Sequence, residues 1–128
     1  MYTLSVSRSF EAFHYLVGGD WGDENIRHAH LYKVDAALSG DRLDRHGYLL
    51  DIVDLETRLD ALVAGFKGQT LNDLSPFAGL NPSIEHFARI FLEMLVAPPD
   101  GIRTPTVSHI RVRIWENDIA WASFEKSL

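Results

Sequence analysis

The sequence predicts an α+β fold in which an antiparallel sheet carries two helices on one face. Two segments near the amino terminus alternate between apolar and polar residues, as strands do, and two segments near the carboxyl terminus repeat this pattern. Between them lie two segments whose apolar residues recur at helical spacing. The predicted order is therefore strand, strand, helix, helix, strand, strand. Such a sheet has two unpaired edges, so association of several copies is expected to protect them.

The first two strands are predicted from alternation. Residues 2–10 alternate between apolar and polar side chains, which is typical of a strand with one buried face. A loop containing three glycines follows at residues 17–23. The second strand is expected over His28–Leu38 and is predicted to end at the turn-forming residues 39–41. Its predicted inward face consists of alternate residues: His28, His30, Tyr32, Val34, Ala36 and Leu38.

The two helices are predicted from their apolar stripes and end signals. The first is expected over Asp51–Gly65, with acidic residues at its amino-terminal end and a glycine at its carboxyl-terminal end. Residues 66–79 are predicted to form a loop. The second helix is expected to begin with Asn81 as the N-cap and Pro82 as the first helical residue. The stripes are Ile52, Leu55, Leu59, Leu62 and Val63 in the first helix, and Ile84, Phe87, Ala88, Phe91, Leu92 and Leu95 in the second.

Two more strands complete the predicted sheet. The Pro-Pro-Asp-Gly segment at residues 98–101 is expected to end the second helix. Alternation resumes over Val107–Trp115, and a closing strand is predicted over Ala120–Phe124. The turn between these two strands is assigned to Asn117 and Asp118, which are residue types that favour turns.

Composition narrows the class of protein. The 128 residues are 46% hydrophobic and 23% charged, which is typical of one globular domain, predicted over residues 1–128. The net charge of −6 argues against sequence-independent binding of nucleic acid, which depends on neutralising phosphates. The absence of cysteine excludes disulfides and cysteine-based zinc sites, and it fits a cytoplasmic location. No apolar run approaches the ~18 residues that a membrane span needs, so no membrane partner is expected.

Three histidines form a candidate metal site. His28 and His30 are two residues apart, so on a strand both imidazoles point to the same face. His14 follows the first strand and reaches the same point if the two strands are antiparallel neighbours. Three histidines with one open position are a common catalytic zinc arrangement. The alternative is that these are core histidines whose ring nitrogens are satisfied by protein groups.

Six segments, taken together, resemble one known family. They occur in order along the chain as Phe10-Glu11-Ala12-Phe13-His14 (F-x-A-x-H), His28-Ala29-His30 (H-G-H with Ala for Gly), Gly47-Tyr48-Leu49-Leu50-Asp51 (G-x-x-x-D), Leu71-Asn72-Asp73 (L-N-D), Asn81-Pro82-Ser83-Ile84-Glu85 (N-P-T-x-E) and Glu116 (the Glu of an E-T pair). On these motifs the chain resembles the 6-pyruvoyl-tetrahydropterin synthase and 6-carboxy-tetrahydropterin synthase family. The resemblance covers nearly the whole chain.

The resemblance implies a fold, a ligand and a set of site residues. It implies the tunnelling fold, in which four-stranded sheets with two helices on one face close into an oligomeric barrel, usually a homo-hexamer built as a dimer of trimers. It implies active sites between subunits and a pterin substrate, 7,8-dihydroneopterin triphosphate or a related molecule. His14, His28 and His30 are then the expected zinc ligands. Glu116 is the expected pterin anchor, because a carboxylate can accept two parallel hydrogen bonds from the pterin ring.

The chain departs from this family at its catalytic positions. Glu24 stands where the family usually has a catalytic Cys, four residues before the His-x-His motif. Lys67 and Gly68 stand where it has an Asp-His pair that relays protons. Standard synthase chemistry is therefore not expected.

Three functional hypotheses remain. The first is a zinc-dependent pterin enzyme of altered, lyase-like chemistry, with Glu24 as the general base. Glu24 resembles, in one residue, a branch of the family that cleaves the pterin side chain to 6-hydroxymethyl-dihydropterin. The second is a pterin-binding protein without turnover, and the third is a structural oligomer of the same fold.

Overall fold

The sheet and both helices occur in the predicted order. The computed structural model describes residues 1–128, and its four strands form one antiparallel sheet in the order β1-β2-β3-β4. Helix α2 packs on β3 and β4, while α1 packs on β1 and contacts α2. Neither helix has the length and apolar character needed to cross a lipid bilayer. The elements are β1 (Tyr2–His14), β2 (His28–Gly40), α1 (Ile52–Phe66), α2 (Ile84–Val96), β3 (His109–Trp115) and β4 (Trp121–Ser127).

Strands β1 and β2 are longer than predicted because they pair along their whole length. Tyr2 lies opposite Gly40 at one end of the pair, and His14 lies opposite His28 at the other. The predicted break at residues 39–41 is therefore wrong for residues 39 and 40, which belong to β2. A Cβ at residue 40 would lie 1.8 Å from the carbonyl oxygen of Thr106, so the glycine permits close approach of two backbones rather than a turn.

An aromatic cluster links α2 to β2 through Tyr32. The ring of Phe87 is fully buried, and its centroid lies 5.3 Å from that of Tyr32 and 5.1 Å from that of Phe66. Phe77, from the segment between the helices, packs edge-on against the same ring at 5.5 Å. Edge-to-face packing of this kind favours one relative placement of the rings. The cluster therefore positions the amino-terminal end of α2 beside the histidine-bearing end of β2.

The start of α2 differs from the prediction. The N-cap is Ser83, whose hydroxyl oxygen accepts a hydrogen bond from the backbone N–H of His86, and the helix begins at Ile84. Asn81 does not cap the helix, because its side-chain oxygen accepts a hydrogen bond from the backbone N–H of Val17. Pro82 therefore lies before the helix, where its carbonyl group is free to accept a hydrogen bond from elsewhere.

The segment between the helices holds the end of β1 in place. It contains two short 3-10 turns, Leu71–Asp73 and Ser75–Phe77. The Asn72 side chain accepts a hydrogen bond from the backbone N–H of Tyr15 at 3.0 Å and donates one to the carbonyl oxygen of the same residue at 2.9 Å. The residue that follows His14 is thus clamped on both sides. This contact gives the Leu-Asn-Asp motif a structural role beside the site.

Candidate metal centre and binding cavity

The ends of β1 and β2 bring three imidazoles together. His14 and His28 face each other across the strand pair, with ring centroids 4.6 Å apart. His30 lies one alternation further along β2, and its ring centroid is 4.8 Å from that of His14 and 4.9 Å from that of His28. Antiparallel pairing thus brings together histidines that are fourteen residues apart in the sequence, as the sequence analysis predicted.

Backbone carbonyl groups set the orientation of two of these rings. His14 Nδ1 lies 3.0 Å from the carbonyl oxygen of Pro82, and His28 Nδ1 lies 2.7 Å from that of Ile26. A carbonyl oxygen can only accept, so each Nδ1 atom carries the proton and donates it. In the neutral ring the lone pair is then on Nε2. Hydrogen bonds of this kind commonly orient histidines that bind metals.

The Nε2 atoms of the three histidines converge on one point. His14 Nε2 is buried and has no hydrogen-bond partner. His28 Nε2 lies 3.1 Å from His30 Nε2 and 2.9 Å from Glu24 Oε2. One ligand atom from each of these four residues lies within 4.8 Å of the others. Nitrogen lone pairs and a carboxylate that converge in this way require a cation or protons between them, and three His with a carboxylate suit a zinc-like ion.

Burial favours the neutral form of His14, the most deeply buried residue of the cluster. Removal from water lowers the pKa of His14, and the neighbouring imidazoles act in the same direction, although the hydrogen bond to Pro82 opposes them. The Tyr32 hydroxyl lies 3.2 Å from His14 Nδ1 and is itself fully buried. Burial also raises the pKa of Tyr32, as do the charges of Glu116 and Glu24. The phenol therefore stays protonated beside the histidine.

A cavity of about 350 Å³ adjoins this cluster and contains the predicted pterin anchor. Its volume is at the lower end of the range for small-molecule sites, ~300–1,000 Å³. Glu116, at the end of β3, forms part of its wall together with His14 and Glu24. The remaining lining residues are Leu16, Trp21, Asn81, Ser83, Ile84 and Glu85. The cavity thus combines apolar walls with carboxylate acceptors.

The structure brings all five residues singled out from the sequence into one region. His14, His28, His30 and Glu24 form the cluster, and Glu116 faces the adjoining cavity. Lys67 and Gly68, which replace the family's Asp-His pair, do not line this cavity.

Sequence reasoning missed three contributors to the region. Tyr32 was assigned to the core only, whereas its hydroxyl contacts His14. Trp21 and Glu85 were not associated with the site, yet both line the cavity. For Tyr32 a signal existed, since it shares the strand face of His28 and His30. For Glu85 the signal was its place in the Asn81–Glu85 family motif. Trp21 had no such signal, because a loop carries no register that relates it to β2.

The fold and the site together define a tunnelling-fold protein with a cluster of three histidines and a glutamate that could hold a metal ion. The family model for 6-pyruvoyl tetrahydropterin synthase matches residues 3–127. The chain therefore belongs to the 6-pyruvoyl tetrahydropterin synthase family, as its six motifs predicted. No curated protein matches it in sequence.

Solved structures of the family share its fold. The enzyme from Caenorhabditis elegans has a TM-score of 0.80 and 20% identity, covering 98% of this chain and 96% of its own. The Plasmodium vivax enzyme, in a form altered at a catalytic residue, has a TM-score of 0.80 and 16% identity, covering 99% and 98%. The Plasmodium falciparum enzyme has a TM-score of 0.71 and 13% identity, covering 98% and 99%. At these identities the likeness establishes the fold.

Proposed function

We propose that this protein binds a pterin, 7,8-dihydroneopterin triphosphate or a relative, beside a zinc ion and acts on the pterin side chain as a lyase-like enzyme. The observation that carries the proposal is the position of Glu24. Its carboxylate lies 2.9 Å from a histidine of the cluster and also lines the cavity that contains Glu116. A base, a candidate metal centre and a ring acceptor therefore border one space.

His14, His28 and His30 hold the metal in this proposal. Their support is the buried, unpartnered Nε2 atom of His14 and the two carbonyl groups that orient the Nδ1 atoms. A zinc ion bound here would supply Lewis acidity, which polarises the hydroxyl groups of a pterin side chain.

Glu116 binds the ring. A pterin presents a 2-amino group and an adjacent ring N–H on one edge, and a carboxylate can accept both hydrogens in parallel. Glu116 is half-buried at the end of β3, and its backbone N–H is directed to Ala120. Its carboxylate can therefore face the cavity while its backbone completes the turn to β4.

Glu24 acts as the base. It accepts the proton of the hydroxyl on the second side-chain carbon, the bond between the first and second carbons breaks, and the carbon left on the ring then takes up a proton. The products are a 6-hydroxymethyl pterin and an aldehyde, so no oxidant is consumed. A carboxylate suits this role because it is half-exposed and can exchange its proton with water.

One observation favours a second candidate, a pterin-binding protein without turnover. The positions that carry the family's proton-relaying pair hold an exposed lysine, Lys67, and a glycine without a side chain, Gly68. Gly68 has a φ of +74°, so it serves a tight turn, and its N–H donates to the carbonyl oxygen of Glu11.

Mass spectrometry of the products distinguishes the two candidates. Zinc-loaded protein is incubated with 7,8-dihydroneopterin triphosphate and, separately, with 7,8-dihydroneopterin. A 6-hydroxymethyl product that disappears in Glu24→Gln, while pterin binding persists, supports the enzyme. Intact pterin retained by the protein supports the binding protein. Glu116→Gln is expected to weaken binding of either pterin. The matched control is Glu93→Gln, which changes an exposed glutamate of α2 and is expected to leave pterin binding unchanged.

We also propose a homo-hexamer, arranged as a dimer of trimers. Strands β1 and β4 are the two edges of the sheet, and each has one side without a strand partner. Exposed apolar side chains lie on the same sheet, including Leu31, which is 69% exposed, and Trp121, which is 49% exposed. Pairing of such edges between copies removes unpaired backbone groups from water. Light scattering coupled to size-exclusion chromatography measures the assembly directly, and a monomeric mass would contradict this proposal.

A further inference from the structure

Trp21, in the loop between β1 and β2, has no part in the proposed reaction, although it borders the same space as the groups that do. Its side chain lines the cavity together with Glu24 and Glu116, and the residue is 45% exposed. Small-molecule sites typically combine aromatic walls with a few polar groups that fix the orientation of the ligand. The indole is the largest apolar side chain in this lining and supplies such a wall.

Hydrogen bonds within the loop hold the backbone of Trp21 in place. The side-chain oxygen of Asn25 accepts the backbone N–H of Trp21 at 2.7 Å. The amide nitrogen of the same side chain donates to the carbonyl oxygens of Leu16 and Gly19, at 2.9 and 3.0 Å. Glu24 closes the loop, because its carbonyl oxygen accepts the backbone N–H of Leu16 at 2.8 Å. One compact loop therefore positions both the indole and the proposed base.

A glycine sets the position of the indole ring itself. A Cβ at Gly19 would lie 2.6 Å from Cη2 of Trp21 and 2.9 Å from its Cζ3. Carbon atoms that are not bonded pack at about 3.5–4.0 Å, so a side chain at residue 19 would displace the ring. The six-membered ring of the indole thus lies against the Gly19 backbone, in a place that only a glycine leaves open.

An indole held in this way is suited to stacking on a flat heterocyclic ring. A side chain that is ordered before the ligand arrives spares the complex the entropy of ordering it. The indole offers a broad π face, while the Glu116 carboxylate on the same cavity can accept the N–H groups at the edge of such a ring. The cavity has a volume of only about 350 Å³, so a ring bound by Glu116 lies close to Trp21.

We propose that Trp21 is the ring-stacking residue of this site and that Gly19 and Asn25 are its positioning residues. The proposal rests on the proposed pterin function and adds to it a residue that recognises the ring, whatever side chain the ring carries. Groups from a neighbouring copy can complete the site, whereas these three residues belong to one loop of one chain.

Affinity for two pterins tests the proposal. The zinc-loaded protein is titrated with 7,8-dihydroneopterin and with 6-methyl-7,8-dihydropterin, which has the same ring without the hydroxyl groups. Trp21→Ala is expected to weaken both by a similar factor of at least about tenfold, in the range that loss of an aromatic stacking partner produces. Trp21→Phe keeps a smaller ring and is expected to recover most of the affinity. The matched control is Tyr48→Ala, which removes an exposed aromatic side chain outside this cavity.

Gly19→Ala tests the position of the indole without removing it. Residue 19 does not have a positive φ, so its backbone accepts alanine, but the added Cβ would push the ring aside. We expect binding of both pterins to weaken by at least about threefold. Gly65→Ala, where a Cβ meets nothing within 4 Å, is the control and is expected to leave both affinities unchanged. Circular dichroism confirms that the variants fold.

Each contrary outcome has a distinct meaning. Unchanged binding of both pterins in Trp21→Ala overturns the assignment. A loss confined to dihydroneopterin, or failure of the wild type to bind the 6-methyl pterin alone, also overturns it, because stacking acts on the ring. Weakened binding together with a changed assembly mass in light scattering shows that Trp21 contacts another copy instead. Absence of binding by both pterins in the wild type overturns the proposed pterin function itself.

Discussion

The Nε2 atoms of His28 and His30 lie 3.1 Å apart at the end of β2. The His28 ring donates its Nδ1 proton to the carbonyl oxygen of Ile26, so its Nε2 carries a lone pair when the ring is neutral. Two strand residues with the same side-chain direction thus place nitrogen atoms where one cation can contact both. In the absence of a metal, His30 Nε2 can donate a hydrogen bond to this lone pair, and a metal bound by both nitrogens would replace that proton.

We expect the purified protein to bind one zinc ion per chain. His28→Ala removes one nitrogen ligand and is expected to lower zinc affinity by at least about tenfold, since the remaining ligands no longer enclose the ion. Elemental analysis after dialysis against a weak chelator measures the stoichiometry. His109→Ala changes a histidine at the far end of the sheet, paired only with Glu125, and is the control. Equal zinc content in both variants would contradict the proposed ligand set.

Tyr32→Phe is expected to weaken the metal site without removing a ligand. The hydroxyl lies 3.2 Å from His14 Nδ1, and loss of such supporting contacts typically costs about 10–100-fold in metal affinity. The ring remains to pack against Phe87, so the fold is retained. Competition with a fluorescent zinc chelator measures the affinity. Wild-type affinity in the variant would show that Pro82 alone orients His14.

Ser83→Ala is expected to lower the free energy of unfolding by about 1 kcal/mol, the usual effect of removing a helix N-cap. The Ser83 hydroxyl accepts the backbone N–H of His86, and the loss leaves that donor without its partner. Urea denaturation followed by circular dichroism measures the change. Ser127→Ala, an exposed substitution at the end of β4, is expected to have little effect. Similar losses in the two variants would argue against the cap.

Asp44 is expected to make stability depend on pH in the acid range. Its carboxylate accepts backbone hydrogen bonds from Tyr48 and His46, and these lower its pKa below the ordinary value. The folded state thus binds its proton less readily than the unfolded state. The contribution to stability is present above the unfolded pKa of about 4 and is lost as pH falls through the lower folded value.

The variant Asp44→Asn separates this effect from general acid denaturation. It is expected to be less stable than the wild type at pH 7, and the difference is expected to shrink as the pH falls through the lowered pKa of folded Asp44, because the wild-type carboxyl group then becomes neutral as well. Asp118→Asn, which changes an exposed carboxylate in the turn between β3 and β4, is the control. A difference from wild type that stays constant with pH would contradict the assignment.

Much of the fold was predictable because the spacing of apolar residues along each element matches the face that the element buries. The alternation of β2 predicted its buried face correctly through Tyr32, Val34 and Leu38, since that face of the sheet forms the core. The predicted break at residue 39 was wrong because pairing with β1 and the contact with Thr106 favour an extended glycine. The predicted cap at Asn81 was wrong because that side chain serves a loop 64 residues earlier in the chain.

The sequence by itself determined which residue types occur at which spacing. That spacing was enough to predict the order of the elements, the shared side-chain direction of His28 and His30, and the family. Only the tertiary structure decided which atoms face each other. The contacts of His14 with Pro82 and of Glu24 with His28, and the carboxylates of the cavity, depend on how strand ends, a loop and a helix start meet. Periodicity reports burial along one element, whereas a site is made by long-range contacts between elements that have no common period.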